Sequence, residues 1–416
     1  MGHTLDEKEM GGMRNVWILT ISMSVLATCY TMLVPFLPIY LLELGVKQEN
    51  VALWSGVTFS ITFFVAGVMA PIWGKMADSH GKKMMAIRAG LAIGLSYILI
   101  GLVTSPWQLL AGRAFQGFAN GFMPAAMTMV SLSVKEERVA KALGIFQTGL
   151  ILGNVIGPVL GGFIESYVGM RPVFYVSGVM VISVALAVAF LVKEPKMLVR
   201  EGSKTPAKST SLFEDWNFVK SNHILVQLLW IYFFMQCAIL MLQPILALYI
   251  GEMQGTMEDA ALAAGLILSI GGLTGAVTTN LWVRFGERVG YFRAIAIALL
   301  GSSIVLFLQA FPFGVYWFGA LQIIIGCFIV GVNPSLSAAV SVNTEPTFRG
   351  RMFGMATMSQ QFGSMMGPLF ASIVTTFVGF SWVFVITSIL MLYMAYNSNK
   401  LQQHCAHASL LQKENS

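Results

Sequence analysis

The stretch that decides the fold runs from Gly144 to Gly162 and reads GIFQTGLILGNVIGPVLGG. It is apolar enough to lie in a membrane, and glycine recurs every fourth residue from Gly149 to Gly161, which leaves one helix face without side chains. A neighbouring helix can approach such a face closely in a bilayer. Pro158 predicts a bend, because its ring removes a helix hydrogen bond. The pattern favours two bodies that rock against each other; taken alone, it also fits tight packing in any polytopic membrane protein.

The composition is that of a membrane protein. Of the 416 residues, 56% are hydrophobic and 11% are charged, whereas about a quarter of the residues of a soluble domain are charged. About 20 helical residues cross the hydrocarbon core. We therefore predict an all-α membrane protein of twelve transmembrane helices, spans 1 to 12, at residues 15–42, 51–73, 84–104, 106–132, 142–165, 171–193, 223–250, 260–283, 293–312, 314–342, 352–377 and 380–398. The loops between them leave no room for a soluble domain.

The basic residues orient the chain. With the N-terminus inside, the outer side keeps only Lys47 and Arg171, while Arg113 falls inside span 4 and all other Lys and Arg residues lie on the inner side. This bias is typical of membrane proteins and predicts that both termini are cytoplasmic. It also explains the net charge of +6 without a nucleic-acid partner. The four cysteines show no pairing or metal-binding spacing.

The second half of the chain repeats the first. Span 1 and span 7 share a pattern of Pro, Tyr and Glu at one offset, which pairs Pro35 with Pro244, Tyr40 with Tyr249 and Glu43 with Glu252. The glycines and Pro158 of span 5 recur in span 11, where the small-residue ladder is Ser359, Gly363, Gly367 and Ala371. We predict two six-helix pseudo-symmetric halves, 1–193 and 223–398, with a cytoplasmic linker at 194–222 and a cytoplasmic tail at 399–416. Residues 214–220 are expected to form a short surface helix. Parallel repeats of this kind are typical of transporters.

Span 4 carries a charge at membrane depth. Arg113, Gln116 and Asn120 are spaced to share one helix face, which Met123 continues. Burying a charge there costs at least about 2.5 kcal/mol, so the side chain should face a cavity or a partner. The alternative is that Arg113 lies near the outer interface and reaches towards it. The residue at the repeated position is taken as Ile323.

Other polar and aromatic residues within the spans outline a sparsely polar central cavity. The candidate substrate-contacting residues are Tyr30, Gln116, Asn120, Met123, Phe146, Gln147, Asn154, Tyr232, Gln236, Gln243, Asn333 and Gln360. Each amide singly fits an interhelical hydrogen bond equally well. The 26 methionines suit varied ligands, because methionine-rich surfaces are flexible.

The loop after span 2 reads GKMADSHGKK, residues 74–83. Its glycines suit a tight turn, Asp78 is placed to face the positive end of a helix, and the lysines suit the anionic inner leaflet. An ordinary charged turn is the alternative. A partial copy, GERVG at residues 286–290, falls at the matching place of the second half and argues against that alternative.

These motifs resemble those of the major facilitator superfamily over nearly the whole chain, and of its twelve-span drug:proton antiporters in particular. Residues 74–83 resemble the G-x-L-A-D-R-x-G-R-K signature, with Ser79 in place of its first Arg. Residues 109–117 resemble the span-4 signature, and Pro35 with Pro38 resembles the span-1 Pro-x-x-Pro. The antiporter signature is matched at every fixed position, namely Gly144, Gly153, Gly157, Pro158, Gly161 and Gly162.

The resemblance implies two halves that rock about a central site. It implies proton coupling through Arg113 and Asp78, and an antiport bias from the span-5 glycines and Pro158. A conformational latch would comprise Gly74, Asp78, Gly81, Lys82, Lys83 and Arg138, with Arg138 replacing the partner that Ser79 removes. The implied energy source is the proton gradient, with no cofactor or metal. The implied partners are lipophilic small molecules, protons and the lipid bilayer of the bacterial cytoplasmic (inner) membrane, in which the protein would act as a monomer.

The leading hypothesis is a secondary transporter that exports lipophilic small molecules, including drugs, in exchange for protons. One alternative is a narrow exporter of a single metabolite or lipid precursor, and another is a nutrient importer. A transporter-like sensor or scaffold is the alternative from a different class. An enzyme is disfavoured, because the sequence contains no nucleophile–base pair, metal spacing or phosphate loop.

Overall fold

The computed structural model describes the backbone of residues 11–135, 138–194, 212–255, 260–345 and 348–414. Within these ranges it describes all side chains except those of Asp78, Ser79, Ala140 and Gly350 and those of residues 212–215 and 404–414. Every regular element in the described part of the chain is a helix.

The first half contains eight α-helices. They are α1 (Gly12–Leu33), α2 (Leu37–Glu43), α3 (Gln48–His80), α4 (Lys82–Gly101), α5 (Pro106–Ala119), α6 (Phe122–Leu132), α7 (Val139–Val168) and α8 (Met170–Leu191). A short 3₁₀ helix, Val34–Phe36, joins α1 to α2.

The linker and the second half repeat this order. They contain α9 (Leu212–Lys220), α10 (His223–Leu242), α11 (Leu246–Gln254), α12 (Ala260–Val289), α13 (Tyr291–Gln309), α14 (Val315–Ile329), α15 (Val332–Asn343), α16 (Arg349–Phe377) and α17 (Phe380–Glu414). The helix α9 confirms the short helix predicted in the linker. The helix α17 continues from span 12 through the predicted tail; the boundary between the span and the tail at residue 398 remains a prediction.

Helices occupy all twelve predicted spans. Ten of them are long and apolar enough to cross a membrane by length and composition within the described chain. The two others are span 4, made of α5 and α6, and span 11, made of α16. Span 4 is divided into two short helices and carries Arg113, and α16 is rich in Ser, Thr, Gln and Gly.

Spans 1, 4, 7 and 10 are each broken into two helical segments, and the repeated residues explain where. Pro35 lies at the break in span 1 and Pro244 at the break in span 7; each lacks the N–H that a continuous helix needs. Gly121 ends the first segment of span 4 with a φ of 130°, a conformation that side chains disfavour. Gly331 lies at the corresponding break in span 10.

The chain forms two compact units. One contains residues 11–194 together with Leu246–Ser269, and the other contains 212–245 and residues from Ile270 onwards. This division differs from the repeat boundary, because α11 and the first part of α12 belong to the unit that contains spans 1 to 6. The domain boundaries predicted from the repeat, 1–193 and 223–398, therefore remain a prediction.

The repeat is visible in the helix contacts. A Cβ placed on Gly157 would lie 2.6 Å from the Thr28 carbonyl oxygen, and one on Gly367 would lie 2.5 Å from that of Cys237. Gly117 and Gly326 make equivalent close contacts, with the backbones of Thr62 and Gly271. Thr28 and Cys237 differ in residue number by the same amount as Thr62 and Gly271. Gly117 and Gly326 differ by this amount as well, so all three pairs follow one repeat offset. The same pairs of spans therefore pack in the same way in each half.

Candidate functional site

The break in span 4 is capped by three side chains. Asn120 follows the last residue of α5, and its Oδ1 accepts a hydrogen bond from the Gly121 N–H at 2.7 Å. Trp73 donates from Nε1 to the Phe118 carbonyl at 2.8 Å, and Arg88 donates from Nη2 to the Asn120 carbonyl at 3.0 Å. The last carbonyls of a helix have no partner within the helix, and they favour positive charge. Arg88 and Trp73 therefore supply the partners that the break requires.

Arg88 and Trp73 also contact each other. The guanidinium carbon of Arg88 lies 3.7 Å from the centre of the Trp73 ring, which is a cation–π contact. The sequence interpretation counted Arg88 among the inner positive charges and gave Trp73 no role. The repeat contained a signal for Trp73, because Trp282 occupies the corresponding position of the second half. Trp282 donates from Nε1 to the Cys327 carbonyl at 2.6 Å, which is the equivalent bond in span 10.

Arg113 is buried beside the break. Its side chain is 3% exposed, and its Nη1 donates to Oε1 of Gln116. The Phe59 ring centre lies 5.3 Å from the guanidinium carbon, and Tyr30 and Tyr97 are within electrostatic range. Nε and Nη2 of Arg113 are buried and have no hydrogen-bond partner among the described residues. The arginine thus sits in an aromatic enclosure with two unused donors, and it does not reach an exposed interface.

The predicted polar stripe of span 4 is wrong beyond Gln116. Asn120 is exposed and lies past the last residue of α5, so it cannot continue the face of Arg113 and Gln116. Gly121 causes the difference, because its backbone conformation ends the helix at this point. Met123 is partly buried on the next segment, where it packs against a core cluster.

The remaining first-half candidates have different environments. Phe146 is fully buried in the core cluster formed by residues of α1, α4, α6, α7 and α8. Gln147 is partly buried, whereas Asn154 is exposed. Tyr30 is partly buried and lies within electrostatic range of Arg113. The structure thus brings Tyr30 and Gln116 to Arg113 and places Phe146 in the packed core.

The second-half candidates lie in the other compact unit. Tyr232 is buried and its hydroxyl is 3.3 Å from the Ser337 hydroxyl. Gln243 keeps a buried Oε1 with no partner among the described residues. Gln236 and Gln360 are partly buried and Asn333 is exposed. A substrate-binding role for any of these residues remains a prediction.

The position that repeats Arg113 is Gln322, and the expected Ile323 is wrong. The close contacts of Gly117 and Gly326 fix the register between the first segments of spans 4 and 10, and this register pairs Arg113 with Gln322. The offset grows by one only at the break, because α5 has 14 residues and α14 has 15. Gln322 accepts a hydrogen bond from Gln309 at 2.8 Å. A neutral amide pair therefore occupies the place of the arginine in the second half.

The glycine face of α7 packs against α1, within the first half. Cβ positions on Gly149 and Gly157 would lie 2.6 Å from the carbonyl oxygens of Thr20 and Thr28. Gly153 and Gly161 approach α1 even more closely, and a Cβ on either would clash with its backbone. The predicted close helix approach is therefore present, and it joins two helices of one half.

A second glycine contact joins α7 to α12. A Cβ on Gly162 would lie 2.7 Å from the Ala261 carbonyl oxygen, and one on Gly265 would clash with the Pro158 carbonyl. These residues all belong to the first compact unit. The antiporter-type stretch thus has two contact faces, one towards α1 and one towards the start of α12.

The predicted latch is only partly within the described residues. Gly81 adopts a φ of 91° between α3 and α4, and Oε1 of Glu194 accepts from the Lys83 N–H at 3.4 Å. Gly74 and Arg138 are exposed, and Lys82 is partly buried. The side chain of Asp78 lies outside the described residues, so its latch role remains a prediction. Glu194 was missed because its position after span 6 gave no sign that it would cap α4.

Comparison with known proteins identifies the family to which this chain belongs. The sequence model of the Major Facilitator Superfamily matches residues 19–308 and 260–396. The chain belongs to the Major Facilitator Superfamily. It is 31% identical over 382 residues to the multidrug resistance protein MdtG of Proteus mirabilis, which covers 91% of this chain and 94% of that protein. It is 30% identical over 385 residues to the multi-drug resistance efflux pump PmrA homolog of Lactococcus lactis, with coverage of 92% and 94%.

Solved structures show the superfamily fold in the same way. A single-residue variant of the nucleoside transporter NupG matches with a TM-score of 0.76 at 16% identity, covering 93% of this chain and 99% of NupG. A bacterial homolog of the human lysosomal transporter Spinster, in an inward-facing and unoccupied conformation, matches with a TM-score of 0.73 at 16% identity, with coverage of 92% and 95%. These likenesses confirm the predicted all-α, twelve-helix membrane fold of the superfamily. The chain is a multi-pass membrane transporter of small molecules.

Proposed function

We propose that this superfamily member exports lipophilic small molecules from bacteria in exchange for protons. The observation that carries the proposal is the similarity, along nearly the whole chain, to relatives named for multidrug resistance and efflux. The matched antiporter signature of span 5 supports export over import. We also propose that the protein acts as a monomer in the cytoplasmic membrane, with both termini inside and without a cofactor.

The environment of Arg113 supports a part for this residue in coupling. An arginine remains charged at all working pH values, so it cannot itself carry the proton. Its buried charge instead alters the energy of any proton or charged group that comes near, because the low dielectric strengthens such interactions. The unused Nε and Nη2 donors leave room for water or a ligand acceptor. A purely structural arginine would be expected to have them satisfied.

The two faces of α7 support a division of labour during alternating access. The contact between α7 and α1 extends from Gly149 to Gly161 and brings the two backbones close together. We therefore expect α1 and α7 to move as one body. The contact of Gly162 and Gly265 with the facing backbones is short and involves only the start of α12. We propose that it is this contact, between α7 and α12, that opens and closes during the cycle.

A cellular efflux assay tests the proposal. The chain would be expressed in bacteria that lack their own major pumps, and the accumulation of several unrelated fluorescent lipophiles would be followed with and without a protonophore. The proposal expects lower accumulation of several compounds, abolished by the protonophore. Lower accumulation of a single compound would favour the narrow exporter, and no change with any compound would contradict drug export.

A further inference from the structure

A cleft opens between the first half of α10 and the middle of α17. Its volume is about 290 Å³, and Gln227, Trp230, Phe234, Tyr393 and Asn397 contribute to its walls. All of them belong to the second compact unit. The α17 wall continues into an exposed apolar strip that contains Ile389 and Tyr396. An exposed apolar strip on a membrane helix faces lipid, so the cleft opens towards the bilayer.

The corresponding helices of the first half are tied together. Asn15 at the start of α1 donates to the Lys193 carbonyl at 2.7 Å and accepts from the Lys193 N–H at 3.1 Å. This reciprocal pair clamps the inner end of α1 to the chain that leaves α8. The repeated position of Asn15 is Ile224, whose side chain can make no such bond. Ile224 at the start of α10 therefore cannot repeat this clamp.

The chemistry of the walls also differs between the halves. At the positions that repeat Gln227, Trp230 and Phe234, the first half has Ile18, Ile21 and Val25. A plain lipid-facing groove would need nothing more polar than these residues. On α17, the position of Asn397 repeats Ala187, in the same register that relates the glycine before α17 to the glycine before α8. Tyr393 repeats Ser183, which is polar but not aromatic, so it is the amide and aromatic side chains of the lining that are particular to the second half.

The polar groups of the cleft have unused hydrogen-bonding capacity. Among the described residues, no hydrogen-bond partner is present for the side chains of Gln227, Trp230, Tyr393 or Asn397. Gln227 lies about 6 Å and Phe234 about 16 Å along α10 from its first residue, at about 1.5 Å per residue. The cleft therefore runs from the inner interface towards the middle of the bilayer, where polar groups without partners are costly.

We propose that this cleft binds an uncharged, lipophilic aromatic compound that carries a hydrogen-bonding group at one end. Among the described residues, no acidic or basic side chain lines the cleft, so a charged head would lose its water without gaining an opposite charge. The amides of Gln227 and Asn397 would bond the polar end near the interface. The rings of Trp230 and Phe234, whose centres are 5.4 Å apart in a stacked arrangement, would contact the aromatic body. The volume is just below the usual range for small-molecule sites.

Because the cleft opens towards the bilayer near the inner interface, compounds dissolved in the inner leaflet would bind there first, before they are transported. This loading role rests on the proposed export function, whereas the binding itself does not. The binding is tested with the full chain in lipid nanodiscs and with N-phenylnaphthylamine, an uncharged aromatic amine that fluoresces when it leaves water. Empty nanodiscs of the same lipid provide the correction for partitioning.

The variants replace cleft residues with those of the first half, as Trp230→Ile and Asn397→Ala. Loss of one aromatic contact or one hydrogen bond should raise the dissociation constant by about tenfold. The matched control is Trp17→Ile, because Trp17 is a similarly exposed tryptophan of the first half, 54% against 51% for Trp230. It should bind the probe like the unaltered protein. Asn397→Ala alters a single partly buried amide, so it tests the site even if Trp230→Ile fails to fold.

Saturable binding that both cleft variants weaken, and that the control leaves unchanged, would support the site. No saturable binding, or equal affinity in the cleft variants and the unaltered protein, would overturn it. Transport of the same probe at limiting concentration tests the loading role separately. Wild-type transport rates in cleft variants that bind weakly would overturn that role. Binding without any transport by the unaltered protein would count against export and leave the binding site standing.

Discussion

Gly157 lies so close to Thr28 that a Cβ on the glycine would be 2.6 Å from the threonine carbonyl oxygen. Cβ atoms do not approach backbone oxygens this closely, so any side chain at this position must push α1 and α7 apart. The same relationship recurs between Gly367 and Cys237 at 2.5 Å. The two contacts define one helix pairing, used once in each half.

Replacement of Gly157 by alanine should therefore destabilise the protein by about 1–3 kcal/mol, the usual cost of overpacking. Thermal unfolding in detergent measures the effect. Gly144→Ala is the control, because Gly144 lies on the same helix with no described atom within 4 Å of its Cβ position. The control should be neutral or slightly stabilising, since alanine favours a helix over glycine by about 0.5–1 kcal/mol. Equal unfolding temperatures for the two variants would contradict the close contact.

Arg113→Gln should preserve folding and abolish proton-driven transport. The substitution installs the residue that the second half has at the repeated position, Gln322, and it removes a buried charge. The free energy of unfolding should stay the same or rise by about 1–3 kcal/mol, because the charge no longer has to be desolvated. Unfolding and substrate-induced proton flux should be measured on the same preparation. A folded variant with normal proton flux would contradict a role of Arg113 in proton coupling and would leave it only a structural role.

Trp73→Phe should cost about 1 kcal/mol of unfolding free energy, because it removes the hydrogen bond to the Phe118 carbonyl at the break in span 4. Trp282→Phe should have a similar cost through the Cys327 carbonyl. Chemical unfolding gives both values. Trp382→Phe is the matched control, since Trp382 is 51% exposed and makes no hydrogen bond among the described residues. If all three variants behaved alike, the capping role would be wrong.

Gly81→Ala should destabilise the N-terminal end of α4 more than Gly45→Ala destabilises the loop after α2. Both glycines have positive φ, 91° and 84°, so both substitutions introduce backbone strain of about 1–3 kcal/mol. Only at Gly81 would the new Cβ also displace the Glu194 carboxylate, which caps α4. Hydrogen exchange of the α4 amides, measured by mass spectrometry, should increase in Gly81→Ala alone. Unchanged exchange in that variant would count against the cap.

Much of the fold could be predicted because a membrane restricts the options. Apolar runs long enough to cross a bilayer, one-sided basic loops and the Pro and Gly repeats predicted the spans and their pseudo-symmetry. The glycine spacing of span 5 predicted a close helix contact, and α7 makes it with α1. What the spacing could not supply was the partner, since α1 and α12 are both distant in sequence.

The candidate site was harder to predict because local backbone geometry decides it. A helical wheel placed Asn120 with Arg113, but the helix ends before Asn120 because of the conformation of Gly121. The same break hides a one-residue difference between the halves, so Arg113 was paired with Ile323 when its counterpart is Gln322. Phe146 was expected at a cavity because it is aromatic and near polar residues, yet it packs in the core. Hydropathy does not distinguish these environments.

The most direct test of the account is substrate-induced proton flux in inside-out vesicles that contain this protein. An acid-inside gradient would be formed and followed with a pH-sensitive dye while unrelated lipophiles are added one at a time. We predict loss of the gradient with several compounds in vesicles with the unaltered protein, and no loss with Arg113→Gln at equal protein levels. A gradient that no compound dissipates in vesicles with the unaltered protein would contradict proton-coupled multidrug export.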